Sequence, residues 1–157
     1  DGTSNFLHGI PHFAISIALQ SHDEIICGLI FDPIKNEMFY SEKNNGSFLN
    51  NKRIRVSKKR DINECLFATN GIKYKSVDVQ TRKTGCAALD MAYVAAGRFD
   101  GYFQENLNLW DIAAGIILVK EAGGILNSIN LSKKENLDIR ATSSSINEKI
   151  LEKLDKF

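Results

Sequence analysis

The chain has 157 residues, 43% of them hydrophobic, enough to bury a sizeable core in one domain. Its 20 basic and 19 acidic residues leave a net charge of +1, so no strong field recruits nucleic acid or anionic lipid, and any phosphate recognition must be local. The longest apolar run, 112–119, is too short for the ~20 residues that span a bilayer, and three cysteines (Cys27, Cys65, Cys86) without metal-ligand spacing read as reduced thiols in a cytoplasmic protein.

The chain opens on Asp1-Gly2-Thr3-Ser4-Asn5-Phe6. An acidic side chain before a Gly-Thr pair can sit beside backbone N–H groups that form a concave anion site, especially where a helix starts. The competing reading is an ordinary turn, which Asp and Gly favour for local reasons. Phe13–Leu19 alternates large and small residues, His22-Asp23-Glu24 turns the chain, and Ile25–Phe31 completes a hairpin pattern. Asp32-Pro33 and Lys35-Asn36 mark a turn before a strand at Met38-Phe39-Tyr40. Asn44-Asn45-Gly46 turns into Ser47-Phe48-Leu49, and Asn50-Asn51-Lys52 into Arg53–Val56. Residues 1–70 therefore read as an antiparallel meander.

Beyond residue 70 helices alternate with single strands. A small-residue helix is expected over Ala87–Ala96, stopped by Gly97, then a strand over Phe99–Phe103 and a helix over Trp110–Ala122, stopped by Gly123-Gly124. Ile125-Leu126 and Asp138–Ala141 look like further strands. A last helix begins at Ser145, which forms a capping box with Glu148, and lines one face with Ile146, Ile150, Leu154 and Phe157. Sheet first and alternating layers second imply two subdomains, 1–70 and 71–157, sharing a cleft.

Asp111 stands in the first turn of a very apolar helix, where the macrodipole favours the ionised carboxylate and so a hard cation beside it. Read blandly, Asp1 is a turn residue and Asp111 an N-terminal helix residue. His8 and His12 have i,i+4 spacing, yet Pro11 interrupts any helix between them, so they are not read as a zinc pair. Met91 and Tyr93 belong to a packed helix.

Three segments, in order, resemble the inositol monophosphatases, including their bacterial extragenic-suppressor branch. Asp1–Leu19 resembles the second half of the family's first signature and Trp110–Gly124 its second. Between them, Thr84-Gly85-Cys86-Ala87-Ala88-Leu89-Asp90 with Ala95-Ala96-Gly97-Arg98 resembles the segment that shapes the substrate pocket. The resemblance implies an α/β (α+β) fold, the layered αβαβα sandwich shared with fructose-bisphosphatases, here lacking its N-terminal portion. The family's metal site also draws on an upstream Glu and on an Asp three residues before the Asp1 position, so the chain is expected to be the larger part of a trimmed polypeptide. Near Asn70–Lys75 relatives usually carry a further helix, where this sequence has only a short polar stretch.

By the same resemblance, Asp1 and Asp111 are ligands of two or three Mg2+ ions, and Gly2 and Thr3 offer backbone N–H groups to phosphate. Thr3 also orients the attacking water, against a simple N-cap role. Gly85, Cys86 and Ala87 line the polyol side, with Asp111 also facing substrate. Gln104 stands where relatives often place a Glu that accepts a sugar hydroxyl, and loses its charge assistance. The implied activity is hydrolysis of inositol 1-phosphate, or a similar small polyol phosphate, by metal-activated water. Rivals are fructose 1,6-bisphosphate, 3′-phosphoadenosine phosphate and histidinol phosphate. The family also implies a homodimer. The suppressor branch implies contact with RNA polymerase and Nus antitermination factors, hence a role in transcription antitermination or ribosome biogenesis, with no membrane and no direct nucleic-acid contact. A degenerate pseudoenzyme is the remaining alternative.

Overall fold

Asparagines and glycines set between apolar runs fold the first half back and forth. In the computed structural model, which describes residues 1–70 and 79–154, a short α1 (Thr3–Leu7) precedes five strands. These are β1 (Ile15–Ser21), β2 (Glu24–Asp32), β3 (Glu37–Glu42), β4 (Gly46–Leu49) and β5 (Lys52–Ile54), paired in chain order as an antiparallel sheet. Reversals fall on residues with positive φ: His22 at 54°, Asn36 at 53°, Asn44 at 63°, and Asn50 and Asn51 at 46° and 66°. Asparagine tolerates that conformation, and primed hairpin turns require it. β1 begins two residues later than the alternation suggests, because Ala14 spends its amide and carbonyl on the backbone carbonyl and nitrogen of Asp1.

The register lines up Ala18 with Gly28, Gly28 with Ser41 and Ser41 with Ser47, a row of small residues across four strands. α3 (Leu109–Glu121) lies in the trough they make. A Cβ built on Gly28 would stand 2.7 Å from both the Ala114 carbonyl oxygen and Ile117 Cγ2, and Ser47 Oγ donates to the Leu118 carbonyl at 2.7 Å. α2 (Ala87–Ala95) packs beside α3, with Gly115 closed against Met91.

Behind the helices stands a second sheet, built from β6 (Leu66–Thr69), β7 (Gln80–Arg82), β8 (Gly101–Leu107), β9 (Gly124–Leu126) and β10 (Leu137–Ser143) in the order β7-β6-β8-β10-β9. β6 runs parallel to β7 and β8, whereas β10 is antiparallel to β8 and β9. One core joins Ile30 and Phe39 of the first sheet, Leu89, Met91, Ile112 and Leu118 of the helices, and Tyr102 and Ile139 of the second sheet. On the far face α4 (Asn147–Leu154) closes with Ile150, beside Ile146, over Cys65, Phe67 and Phe103.

The layers run sheet, helices, sheet, helix: the expected sandwich without its first helical layer. On the open outer face of the first sheet β1 presents Ile15, Ile17 and Leu19, which are 54%, 60% and 55% exposed. No described helix is long and apolar enough to cross a membrane.

Several boundaries differ from the sequence expectation for local reasons. β8 starts at Gly101 rather than Phe99, because the amides of Arg98 and Phe99 turn back to the Tyr93 carbonyl and close the end of α2. α4 begins at Asn147 rather than Ser145, with Thr142 Oγ1 bonded to Asn147 Oδ1 at 2.8 Å in place of the expected capping box. β6 and β7, unremarked in the sequence, belong to the second sheet. Phe157 and the polar stretch 71–75 lie outside the described residues.

If the α3 trough limits how closely sheet and helix approach, Gly28→Ala should overpack it and lower stability by about 1–3 kcal/mol. Urea unfolding reads this directly, and an unshifted midpoint would rule out the tight seating.

Candidate active site

Gly2 adopts φ 85° and ψ 28° as N-cap of α1, and a Cβ there would lie 2.9 Å from the His12 carbonyl oxygen and Phe13 Cα. Only glycine fits that crossing. The turn presents Thr3, exposed, as the first residue of α1. Asp1 faces the opposite way. Its Oδ1 accepts the Gly2 N–H at 2.8 Å, and its Oδ2 accepts the Ala88 N–H at 2.7 Å and the Cys86 thiol at 3.4 Å. Cys86 is the N-cap of α2 and supplies no side-chain cap, so Asp1, far away in sequence, provides it. One of the amides expected to meet phosphate, that of Gly2, is thus turned onto the Asp1 carboxylate.

Asn5 fastens this loop. It is 8% exposed, and its Nδ2 donates to the His12 carbonyl at 2.7 Å and the Thr84 carbonyl at 2.9 Å. Phe6 is 63% exposed and meets Phe13 edge to face. His8 Nδ1 pairs with the Ser4 carbonyl, and His12 is half-buried, its pKa lowered first by that burial and then by Lys35.

Gly85, Cys86 and Ala87 form the turn entering α2. Gly85 has φ 81° and faces the Asn5 side chain, while Cys86 and Ala87 are buried. Burial pushes the Cys86 thiol up to about 11, which keeps it protonated and unreactive.

Asp111 sits one turn into α3, half-exposed, its Oδ2 accepting the amide of the N-cap Asn108 at 3.3 Å. The pKa of the Tyr102 phenol is raised first by burial and then by the charges of Asp90, Cys86 and Asp111. Cys86 in turn touches Asp1. Gln104 Oε1 accepts from Tyr102 Oη at 2.5 Å and from Asn70 Nδ2 at 3.1 Å, so both lone pairs of the expected sugar acceptor are occupied.

Among the described residues no group of three or more His, Cys, Asp or Glu side chains gathers as a metal site. The two expected ligands, Asp1 and Asp111, are hard oxygen donors, and Asp111 retains lone pairs beyond its one long hydrogen bond. That chemistry fits Mg2+, which is often held by one or two carboxylates, several waters and a substrate phosphate. One polar residue of the region stands in a matched segment but was given no role from the sequence. Asp90, on α2, is 1% exposed and accepts from Thr84 Oγ1 at 2.7 Å, and a lone acid between Leu89 and Met91 in an apolar helix was the available signal.

A family model for the inositol monophosphatase family matches residues 1–156, and the chain belongs to that family. It is similar to an inositol-1-monophosphatase of Caulobacter vibrioides, at 40% identity over 98% of this chain and 68% of that protein. It is also similar to the Nus factor SuhB of Escherichia coli, at 42% identity over 81% of this chain and 53% of that protein. Across the curated relatives the chain spans about half to two thirds of their length. Among solved structures, the extragenic suppressor protein suhB of Bartonella henselae superposes with a TM-score of 0.91 at 43% identity, covering 99% of this chain and 69% of that one. The Thermotoga maritima IMPase gives 0.89 at 35% identity, covering 99% and 66%. The layered α/β fold is shared with these proteins.

The Asp90 carboxyl, ordinarily near 3.8, is pushed to about 7 by burial, against the opposing Thr84 hydrogen bond. The folded state therefore holds a proton that the unfolded state has released between those two values, and stability falls as pH rises through that window. Asp90→Asn should remove this fall, so the melting temperature of the parent chain should drop relative to the variant between pH 4 and pH 8. Parallel profiles would show that Asp90 titrates normally.

Proposed function

We propose that this chain is the larger part of a Mg2+-dependent phosphomonoesterase acting on a small phosphorylated polyol, with inositol 1-phosphate the leading substrate. The observation that carries the reading is the placement of the Asp1 carboxylate on the N-terminus of α2, with Asp111 on the N-terminus of the neighbouring α3. Helix N-termini favour anions through their free N–H groups and the macrodipole, and two carboxylates there also offer a seat for hard cations.

In this reading Asp1 and Asp111 hold the ions, together with the Glu and Asp expected upstream. When bound, Mg2+ would supply positive charge against the phosphoryl oxygens and would acidify a water for direct attack, without a covalent intermediate. The exposed Thr3 offers its hydroxyl to orient that water and its amide to a phosphate oxygen. Gly2 joins it once its N–H leaves Asp1 Oδ1. The Gly85–Ala87 turn presents backbone to the polyol, Asp111 accepts one of its hydroxyls, and Gln104 accepts another by exchanging one of its present donors. Residues 1–70 would thus carry the metal and phosphate loop, and residues 71–157 the second ligand and the polyol pocket, in a cytoplasmic homodimer.

A second role is favoured by the relatives named Nus factor SuhB. It is a protein contact with RNA polymerase or Nus factors that does not use the phosphatase chemistry. One variant separates the two. In the full-length protein, Asp111→Asn should cut Mg2+-dependent phosphate release from inositol 1-phosphate by at least ~100-fold, the loss of about 3 kcal/mol of transition-state stabilisation. Unchanged turnover would sink the assignment of Asp111. The same variant should still retain a transcription factor in a pull-down at cellular salt, and loss of that partner would count against the second role.

A further inference from the structure

Asp90 is buried where stability alone does not call for it. α2 is a core helix in which eight of nine residues are buried, and the others buried with Asp90 are Ala, Leu, Met and Val. The Asp90 carboxyl is 1% exposed, its Oδ1 accepts from Thr84 Oγ1 at 2.7 Å, and its Oδ2 is buried with no hydrogen-bond partner. A buried polar atom left unpaired is costly, whereas an apolar side chain of similar volume would suit this helix.

The partner of Asp90 is tied to more than Asp90. The Thr84 hydroxyl also lies 3.3 Å from the Cys86 amide, bracing the turn from Thr84 through Gly85 to the start of α2. The Thr84 carbonyl accepts Asn5 Nδ2 at 2.9 Å, and at the other end of the turn the Ala88 amide donates to Asp1 Oδ2 at 2.7 Å. With the Cys86 thiol donating to Asp1 Oδ2 at 3.4 Å, three hydrogen bonds therefore join residues 1–5 to residues 84–88, spread from one end of the turn to the other. Gly85 keeps the Asn5 bond short, since a Cβ there would already be 3.1 Å from the Asn5 amide.

We infer that Asp90 and Thr84 are positioning residues: the Asp90 carboxyl fixes the Thr84 hydroxyl, and Thr84 holds the Gly85–Ala87 turn in register with the loop carrying Asp1 and Thr3. The mechanical coupling stands on the hydrogen bonds alone, and its consequence for substrate rests on the phosphatase reading proposed above. Neither residue touches substrate in this scheme. Each acts by holding the polyol-facing turn at a set distance from the phosphate-facing loop.

The test uses the full-length protein with Thr84→Val, which removes the hydroxyl at constant shape, Thr84→Ser, which keeps it, and Asp90→Leu, which replaces the buried carboxyl. Hydrogen exchange without substrate is read at residues 1–6 and 84–88. Loss of one such hydrogen bond should speed exchange by about tenfold in both segments together for Thr84→Val and Asp90→Leu, with Thr84→Ser near the parent rate. Faster exchange confined to 84–88 would overturn the coupling. With inositol 1-phosphate, the same two variants should raise KM by about tenfold with kcat within about threefold, as expected when binding geometry rather than chemistry is lost. Asp90→Leu should melt no lower than the parent, so a lower melting temperature with unchanged KM would mean a purely structural role and overturn the positioning. Should Thr84→Val fail to fold, Asp90→Leu decides both readouts. A parent protein that releases no phosphate would refute the phosphatase reading, while the exchange result would still decide the coupling.

Discussion

The row Ala18, Gly28, Ser41, Ser47 governs how the rest of the molecule is arranged. Four small residues in register across a twisted sheet let α3 approach until backbone nearly meets backbone, and larger side chains there would lift the helix away. Because Gly115 on the next face of α3 closes on Met91, α2 is placed by the same seating. The N-terminal turns of both helices, with Asp111 on one and the Asp1 cap on the other, inherit their positions from packing many residues away. The second sheet then closes the core from behind, and α4 covers that sheet's far face.

Turn chemistry explains why the first half was readable. Asn36, Asn44, Asn50 and Asn51 each answer a local demand for positive φ, and a demand met by one residue can be read from one residue. α2 and α3 were readable at their C-terminal ends because Gly97 and Gly123, at φ 70° and 87°, stop them. β6 and β7 were not. They are short and pair in parallel, β6 with β8 across more than thirty residues, so their pattern has meaning only once the partner is in place.

The site divides along the same line. Its residue types belong to short motifs, so Asp1, Gly2, Thr3 and Asp111 could be singled out. Their present partners could not. That the Asp1 carboxylate caps a helix beginning at Ala87, that Gln104 spends its carbonyl on Tyr102 and Asn70, and that Phe6 faces solvent all depend on which distant surfaces meet. The open apolar face of β1 belongs to this class as well: alternation along Ile15, Ile17 and Leu19 marks a strand, and only the assembled layers show that its outer face lacks a partner among the described residues.

The electrostatics of the two helix ends bear on why the proposed chemistry would be metal-dependent. Of the side chains assigned to the proposed site, Asp1, Thr3, Cys86, Gln104 and Asp111, none is basic. A helix N-terminus contributes about half an elementary charge, and on α2 that half-charge already faces a carboxylate. In the proposed site a phosphate dianion would meet both Asp1 and Asp111, and like charges repel. Two amide dipoles cannot offset that repulsion, and the net charge of +1 supplies no compensating field. Divalent cations between carboxylate and phosphate would turn the repulsion into attraction. The residues that would make the site hostile to a bare phosphate are thus those that would make it receptive to a phosphate carried with Mg2+.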